Sequence, residues 1–103
     1  RVLGEAIAAA IAEGLARKGG IDQNFIVDGE GLREHVRLTG PAGTLVVRSD
    51  APAVQLYSAE HLGRIGLAIE PQGYPDAPNH PGFPSVVLLP GDTYSTTTQW
   101  LLA

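Results

Sequence analysis

Leu67-Ala68-Ile69-Glu70-Pro71-Gln72-Gly73-Tyr74-Pro75-Asp76-Ala77-Pro78-Asn79-His80-Pro81-Gly82-Phe83-Pro84 changes character at its fourth residue. Up to Glu70 it alternates. Leu67 and Ile69 fall on one face, Ala68 and Glu70 on the other, the pattern of a short strand. Beyond Glu70, five of the chain's eight prolines fall within Pro71–Pro84, together with Gly73, Gly82, Asp76 and Asn79. Proline fixes φ and removes a donor, so this segment is predicted not to be an interior strand. Tyr74 and Phe83 give it apolar anchors, and the prolines lower the entropy cost of holding one shape. It reads as a rigid, packed loop leaving a strand that ends at Glu70.

Working outward, period-two patterning fills most of the chain. Asn24–Asp28, Glu34–Thr39, Thr44–Ser49, Ala53–Ser58, Ser85–Leu89 and Thr93–Leu102 read as further short strands. Gly40-Pro41-Ala42-Gly43 and Pro90-Gly91-Asp92 read as turns. On Ala53–Ser58, Val54 and Leu56 share one face and Gln55 and Tyr57 the other. Six or seven short strands with tight turns predict a mainly β, antiparallel protein. Residues 3–18 are the exception. Leu3, Ile7, Ile11 and Leu15 recur at helical spacing, and Gly19-Gly20 follows, so a single N-terminal helix is expected there.

The 103 residues make one domain or part of one. Seven Lys and Arg against eleven Asp and Glu leave a net charge of -4, which argues against nucleic acid or an anionic membrane as partner. With no Cys, the chain has no disulfide, thiolate metal site or cysteine nucleophile. No apolar run approaches the length of a membrane span. Glu5 and Glu13 do not fit a signal peptide. The absence of Met, even at position 1, suggests a chain that starts inside a longer protein. Val86, Val87, Leu88 and Leu89 alternate to both faces, so the few strands here are not expected to cover them all. An uncovered apolar patch is predicted, or one covered by further polypeptide.

Glu70 stands out chemically. A carboxylate at a strand end, beside a rigid loop, is held in position. In partly apolar surroundings it gains basicity and suits general-base work; otherwise it is a strand-end residue facing water. Asp22 is either a turn residue or a ligand contact. Gln55 and Tyr57 either line a polyol cleft or face solvent. His35, His61 and His80 lack metal-site spacing. No serine sits in a nucleophile elbow, and the glycine pairs are too sparse for a phosphate loop.

The opening stretch closely resembles the C-terminal signature of the aldose 1-epimerases, or galactose mutarotases: an apolar strand, Glu-x-Gln, an aromatic, Pro-Asp-Ala-x-Asn and a Phe-Pro pair. Three further segments resemble the family's in the family's order. They are Gly20-Ile21-Asp22-Gln23-Asn24-Phe25, Pro52-Ala53-Val54-Gln55-Leu56-Tyr57-Ser58 and Pro90-Gly91-Asp92-Thr93-Tyr94. The resemblance covers roughly residues 20–102. It implies an antiparallel β-sandwich of the galactose mutarotase-like supersandwich type, with residues 1–103 as the C-terminal part of one such domain. It implies interconversion of the α and β anomers of free aldoses, a monosaccharide substrate such as galactose or glucose, no cofactor, no metal and a cytoplasmic location. Glu70 matches the family's catalytic base, Asp22 its sugar-binding aspartate and Gln55 a cleft glutamine. Glu70 and Gln55 are thus expected to open onto one cleft, with Asp22 at its rim.

Departures from the pattern matter as well. Gln23 stands where the family usually has His, and the link from Tyr57 to Leu67 is shorter than in many relatives. The family's catalytic histidine lies upstream of the matched segments, and His35, His61 and His80 sit in none of its motifs. The implied partner is therefore the upstream part of the same protein. Two other functions compete: a noncatalytic carbohydrate-binding β-sandwich, and a sugar-phosphate epimerase of the same superfamily. The latter needs basic residues in the cleft, for which only Arg48 and Arg64 are candidates.

Overall fold

A computed structural model describes residues 12–13, 20–63 and 65–103. The helix expected over residues 3–18 lies outside the described residues, apart from positions 12 and 13. The strands are β1 (Asp22–Ile26), β2 (Arg33–Gly40), β3 (Gly43–Ser49), β4 (Ala53–Tyr57), β5 (Ala68–Gln72) and β6 (Thr98–Leu102), with short 3-10 turns at Glu60–Leu62 and Ala77–Asn79. They form two three-stranded sheets, β1-β4-β5 and β2-β3-β6. The chain divides into two compact units, Arg1–Phe25 with Gln55–Glu70 and Ile26–Val54 with Pro71–Ala103. The fold is mainly β with antiparallel pairing, as the alternation requires. Among the described residues no helix is long and apolar enough to cross a membrane.

In the second unit, β2 and β3 make a hairpin closed by Gly40 opposite Gly43, with Pro41-Ala42 at its tip. Gly43 has φ 131, and a Cβ there would come within 2.6 Å of the Ala103 carbonyl oxygen, so this turn demands glycine. Reciprocal Thr44–Ala103 backbone bonds of 2.7 and 3.0 Å extend the antiparallel pairing of β3 with β6. The middle strand holds the core: Val46, Val47 and Ser49 are buried, whereas every residue of β6 is exposed. Arg33 ties down the loop before β2, its guanidinium donating to the carbonyls of Val27, Asp28 and Gly31.

Two expected strands are corrected. Ser85–Leu89 has no ladder partner among the described residues. Its amides bond locally instead, Val87 to the Ser85 hydroxyl and Leu89 to the Asp92 carboxylate, in competition with sheet pairing. Val86, Val87, Leu88 and Leu89 are all more than half exposed, so the apolar patch is present and uncovered. The last strand starts at Thr98 rather than Thr93. The Asp50 carboxylate accepts from the Thr96 hydroxyl at 2.8 Å and the Thr97 amide at 3.0 Å, taking the amide that a continuing ladder would use.

The proline-rich loop holds itself together. Tyr74 and Phe83 meet edge to face at 5.1 Å, and His80 stacks on Phe83 at 4.6 Å. Asp76 takes a left-handed φ of 59, and its carboxylate receives the Asn79 amide and pairs with His80. β5 runs on past the expected end at Glu70, through Pro71 to Gln72. It stands at the end of its sheet's order, where a proline leaves no interior ladder bond unmade.

Candidate functional site

Asp22, Gln55 and Glu70 all fall in the first unit, on β1, β4 and β5 of one sheet, with β4 in the middle. The β1–β4 register follows from two backbone bonds: the Ser58 amide donates to the Ile21 carbonyl and the Val27 amide to that of Pro52. One residue number rises as the other falls by the same amount, so the strands are antiparallel without a net slip. Asp22 therefore lies opposite Tyr57, and Asn24 opposite Gln55. Opposed residues share a face, as do Gln55 and Tyr57 at i and i+2.

Asp22 and Gln55 meet on that face: the Gln55 amide Nε2 donates to Asp22 Oδ1 at 2.8 Å. Thirty-three residues apart in sequence, they form one donor–acceptor pair at the surface. The carboxylate keeps a second oxygen to accept from a ligand hydroxyl. Glu70 stands exposed on the flanking strand, while its neighbour Ile69 is buried. Alternation thus turns the carboxylate away from the packed side of β5.

The end of β4 adds two residues. Ala59 follows in the left-handed region, φ 53, and starts the 3-10 turn Glu60–Leu62. That reversal brings the His61 ring back over Tyr57, stacked at 5.7 Å with 24° between the planes, and the Tyr57 hydroxyl bonds His61 Nδ1. The buried Ser58 hydroxyl fixes the turn, accepting from the Ile21 amide at 2.9 Å and donating to Glu60 Oε1 at 2.8 Å. The sequence signals Tyr57 through its shared face with Gln55. It does not signal His61, whose return depends on a left-handed alanine.

The remaining histidines lie elsewhere. His80 is part of the proline-rich loop. His35 occupies a bulge of β2, in the second unit, and both its ring nitrogens are buried with no hydrogen-bond partner among the described residues. Burial, with the Arg33 guanidinium, holds its pKa below the ordinary imidazole value, partly offset by the Ser49 and Ala51 backbone and by Asp50. Two cavities, of about 630 and 700 Å³, also belong to the second unit, and neither is lined by Asp22, Gln55 or Glu70. Among the described residues no group of His, Asp and Glu could hold a metal ion.

The profile of one protein family, aldose 1-epimerase, matches residues 4–100. The chain belongs to the aldose 1-epimerase family. The aldose 1-epimerase of Escherichia coli strain K12 is 34% identical to it over 99 residues, 79% of this chain and 29% of that protein. The galactose mutarotase of Bos taurus is 33% identical over 95 residues, 77% of this chain and 28% of that protein. The Haemophilus influenzae aldose 1-epimerase is 37% identical over 76 residues. The chain thus spans less than a third of the length of these aldose 1-epimerase relatives. No solved structure matches it.

Proposed function

We propose that this chain is the C-terminal part of an aldose 1-epimerase and carries the base and part of the sugar-binding surface. Glu70 takes the proton from the anomeric hydroxyl, and a histidine from the upstream part of the protein protonates the ring oxygen. The ring opens, the C1–C2 bond rotates, and closure on the other face gives the other anomer. Asp22 accepts hydrogen bonds from sugar hydroxyls, while Gln55 orients Asp22 and supplies further polar contact. No cofactor is required, because only protons move. Fixed polar groups orient the polyol so that Glu70 acts on one hydroxyl.

The observation that carries this reading is the Asp22–Gln55 bond across β1 and β4, with Glu70 on the strand beside β4, in a chain of this family. The upstream polypeptide is also the proposed source of apolar surroundings for Glu70 and of the cover over Val86–Leu89. A second reading is favoured by the exposure of Glu70: a carbohydrate-binding surface without catalysis. Polarimetry on the full-length protein separates the two. Accelerated equilibration of fresh α-D-galactose or α-D-glucose supports the epimerase. Sugar binding at an uncatalysed rate of equilibration leaves only the binding module.

A further inference from the structure

We infer that His61 is a positioning residue of the sugar site: it fixes the Tyr57 hydroxyl as a sugar contact beside Asp22 and Gln55. This rests on the epimerase reading above and extends it to two residues which that reading does not use. Three observations combine. Asp22, Gln55 and Tyr57 share one face of the β1–β4 pair, because Asp22 opposes Tyr57 and Gln55 lies two residues from it. The rings of Tyr57 and His61 stack, and the hydroxyl is bonded to His61 Nδ1. Finally, the turn that returns His61 is held in a left-handed conformation at a non-glycine residue, Ala59, and is pinned by Ser58, Ile21 and Glu60. Such backbone strain persists only where its surroundings over-determine it.

The chemistry follows from the donor inventory. In the tautomer where Nδ1 accepts from the tyrosine, the imidazole proton sits on Nε2 and the Tyr57 oxygen keeps lone pairs for an incoming hydroxyl. An unrestrained phenol rotates its proton among solvent partners, whereas one bonded to His61 presents an acceptor in a fixed direction. Beside it, Asp22 offers a second acceptor. The row Asp22–Gln55–Tyr57 suits a polyol with adjacent hydroxyl donors, and the stacked rings suit an apolar C–H face of the same sugar. The role is in binding and orientation. No proton of the reaction passes through His61.

Steady-state anomerisation of α-D-galactose by the full-length protein tests this. Tyr57→Phe and His61→Ala should each raise KM about three- to tenfold, the size of one hydrogen bond, and leave kcat within about twofold. The double variant should be no worse than the more severe single one, because both remove the same bond. His61→Gln, whose amide oxygen can accept from Tyr57, should recover part of the loss. An unchanged KM in His61→Ala, additive single effects, or a fall in kcat at constant KM would each overturn the assignment. Wild-type protein that does not equilibrate anomers overturns the epimerase reading instead. In that event, titration with D-galactose followed on the His61 imidazole signals decides the inference separately: a saturable shift supports the pair as a sugar contact, and no shift overturns it.

Discussion

The two compact units differ in what their surfaces ask for. In the first, polar side chains of β1, β4 and the turn after β4 are already joined to one another, Gln55 to Asp22 and Tyr57 to His61, at an exposed face. In the second, a run of large apolar groups is exposed, Val86 to Leu89, Tyr94, Trp100, Leu101 and Leu102, beside polar ones such as the Glu34–Arg37 ion pair; among the described residues the first exposes fewer, Leu62 and Ile65 included. Leaving even two such side chains in water forgoes about 3–6 kcal/mol of burial, a large share of the roughly 5–15 kcal/mol that holds a domain together. On the reading proposed above, the first surface takes a small polar ligand and the second is covered by more polypeptide. The chain covers only 29% of its Escherichia coli relative.

This contrast can be broken at several points. The largest expected effect on stability is in the core of the second unit, where Val47 is fully buried on the middle strand. Val47→Ala should cost about 2–3 kcal/mol, from two lost methyl groups and a cavity, read by denaturant unfolding. Next comes the apolar patch. In the full-length protein, Leu89→Ser should destabilise by about 1.5–3 kcal/mol on the proposal that upstream polypeptide covers it. A change within about 0.5 kcal/mol, as at an ordinary surface position, would mean that the patch stays open to water.

In the first unit, Asp22→Ala should leave unfolding nearly unchanged and raise KM for galactose about tenfold, the scale of a charge-assisted hydrogen bond. A matching loss of stability would make Asp22 a structural residue and erase the contrast. The smallest effect is one of pH. The folded state holds the His35 pKa below 6.5, so the unfolded chain binds more protons in the window below that value. Stability from this group is fully present above about pH 6.5 and is lost as pH falls towards the depressed folded pKa. His35→Leu should flatten the melting temperature across that window. The lowered Asp50 carboxylate also loses stability on acidification, but below its ordinary value of 3.8, a range well separated from that of His35.

Local chemistry made much of the chain readable in its sequence. The prolines, Tyr74 and Phe83 specify the rigid loop through contacts among near neighbours, and the Gly40–Gly43 hairpin is likewise local. Ser85–Leu89 was not readable as unpaired, because an apolar extended run becomes a strand only if a distant partner offers its edge. Here Ser85 and Asp92 took the amides first. For the site, family resemblance singled out Asp22, Gln55 and Glu70, but only register brings Asp22 to Gln55. His61 escaped because its approach to Tyr57 depends on the left-handed turn at Ala59, which alanine does not announce.

Glu70 is proposed as the base of an anomerisation site built on β1, β4 and β5. Glu70→Gln in the full-length protein tests it most directly, since the amide is nearly isosteric but cannot accept the proton. Measured by polarimetry at saturating α-D-galactose, with sugar binding followed in parallel by calorimetry, kcat should fall about 10²–10⁴-fold with binding and melting temperature retained. Wild-type kcat in that variant would contradict it.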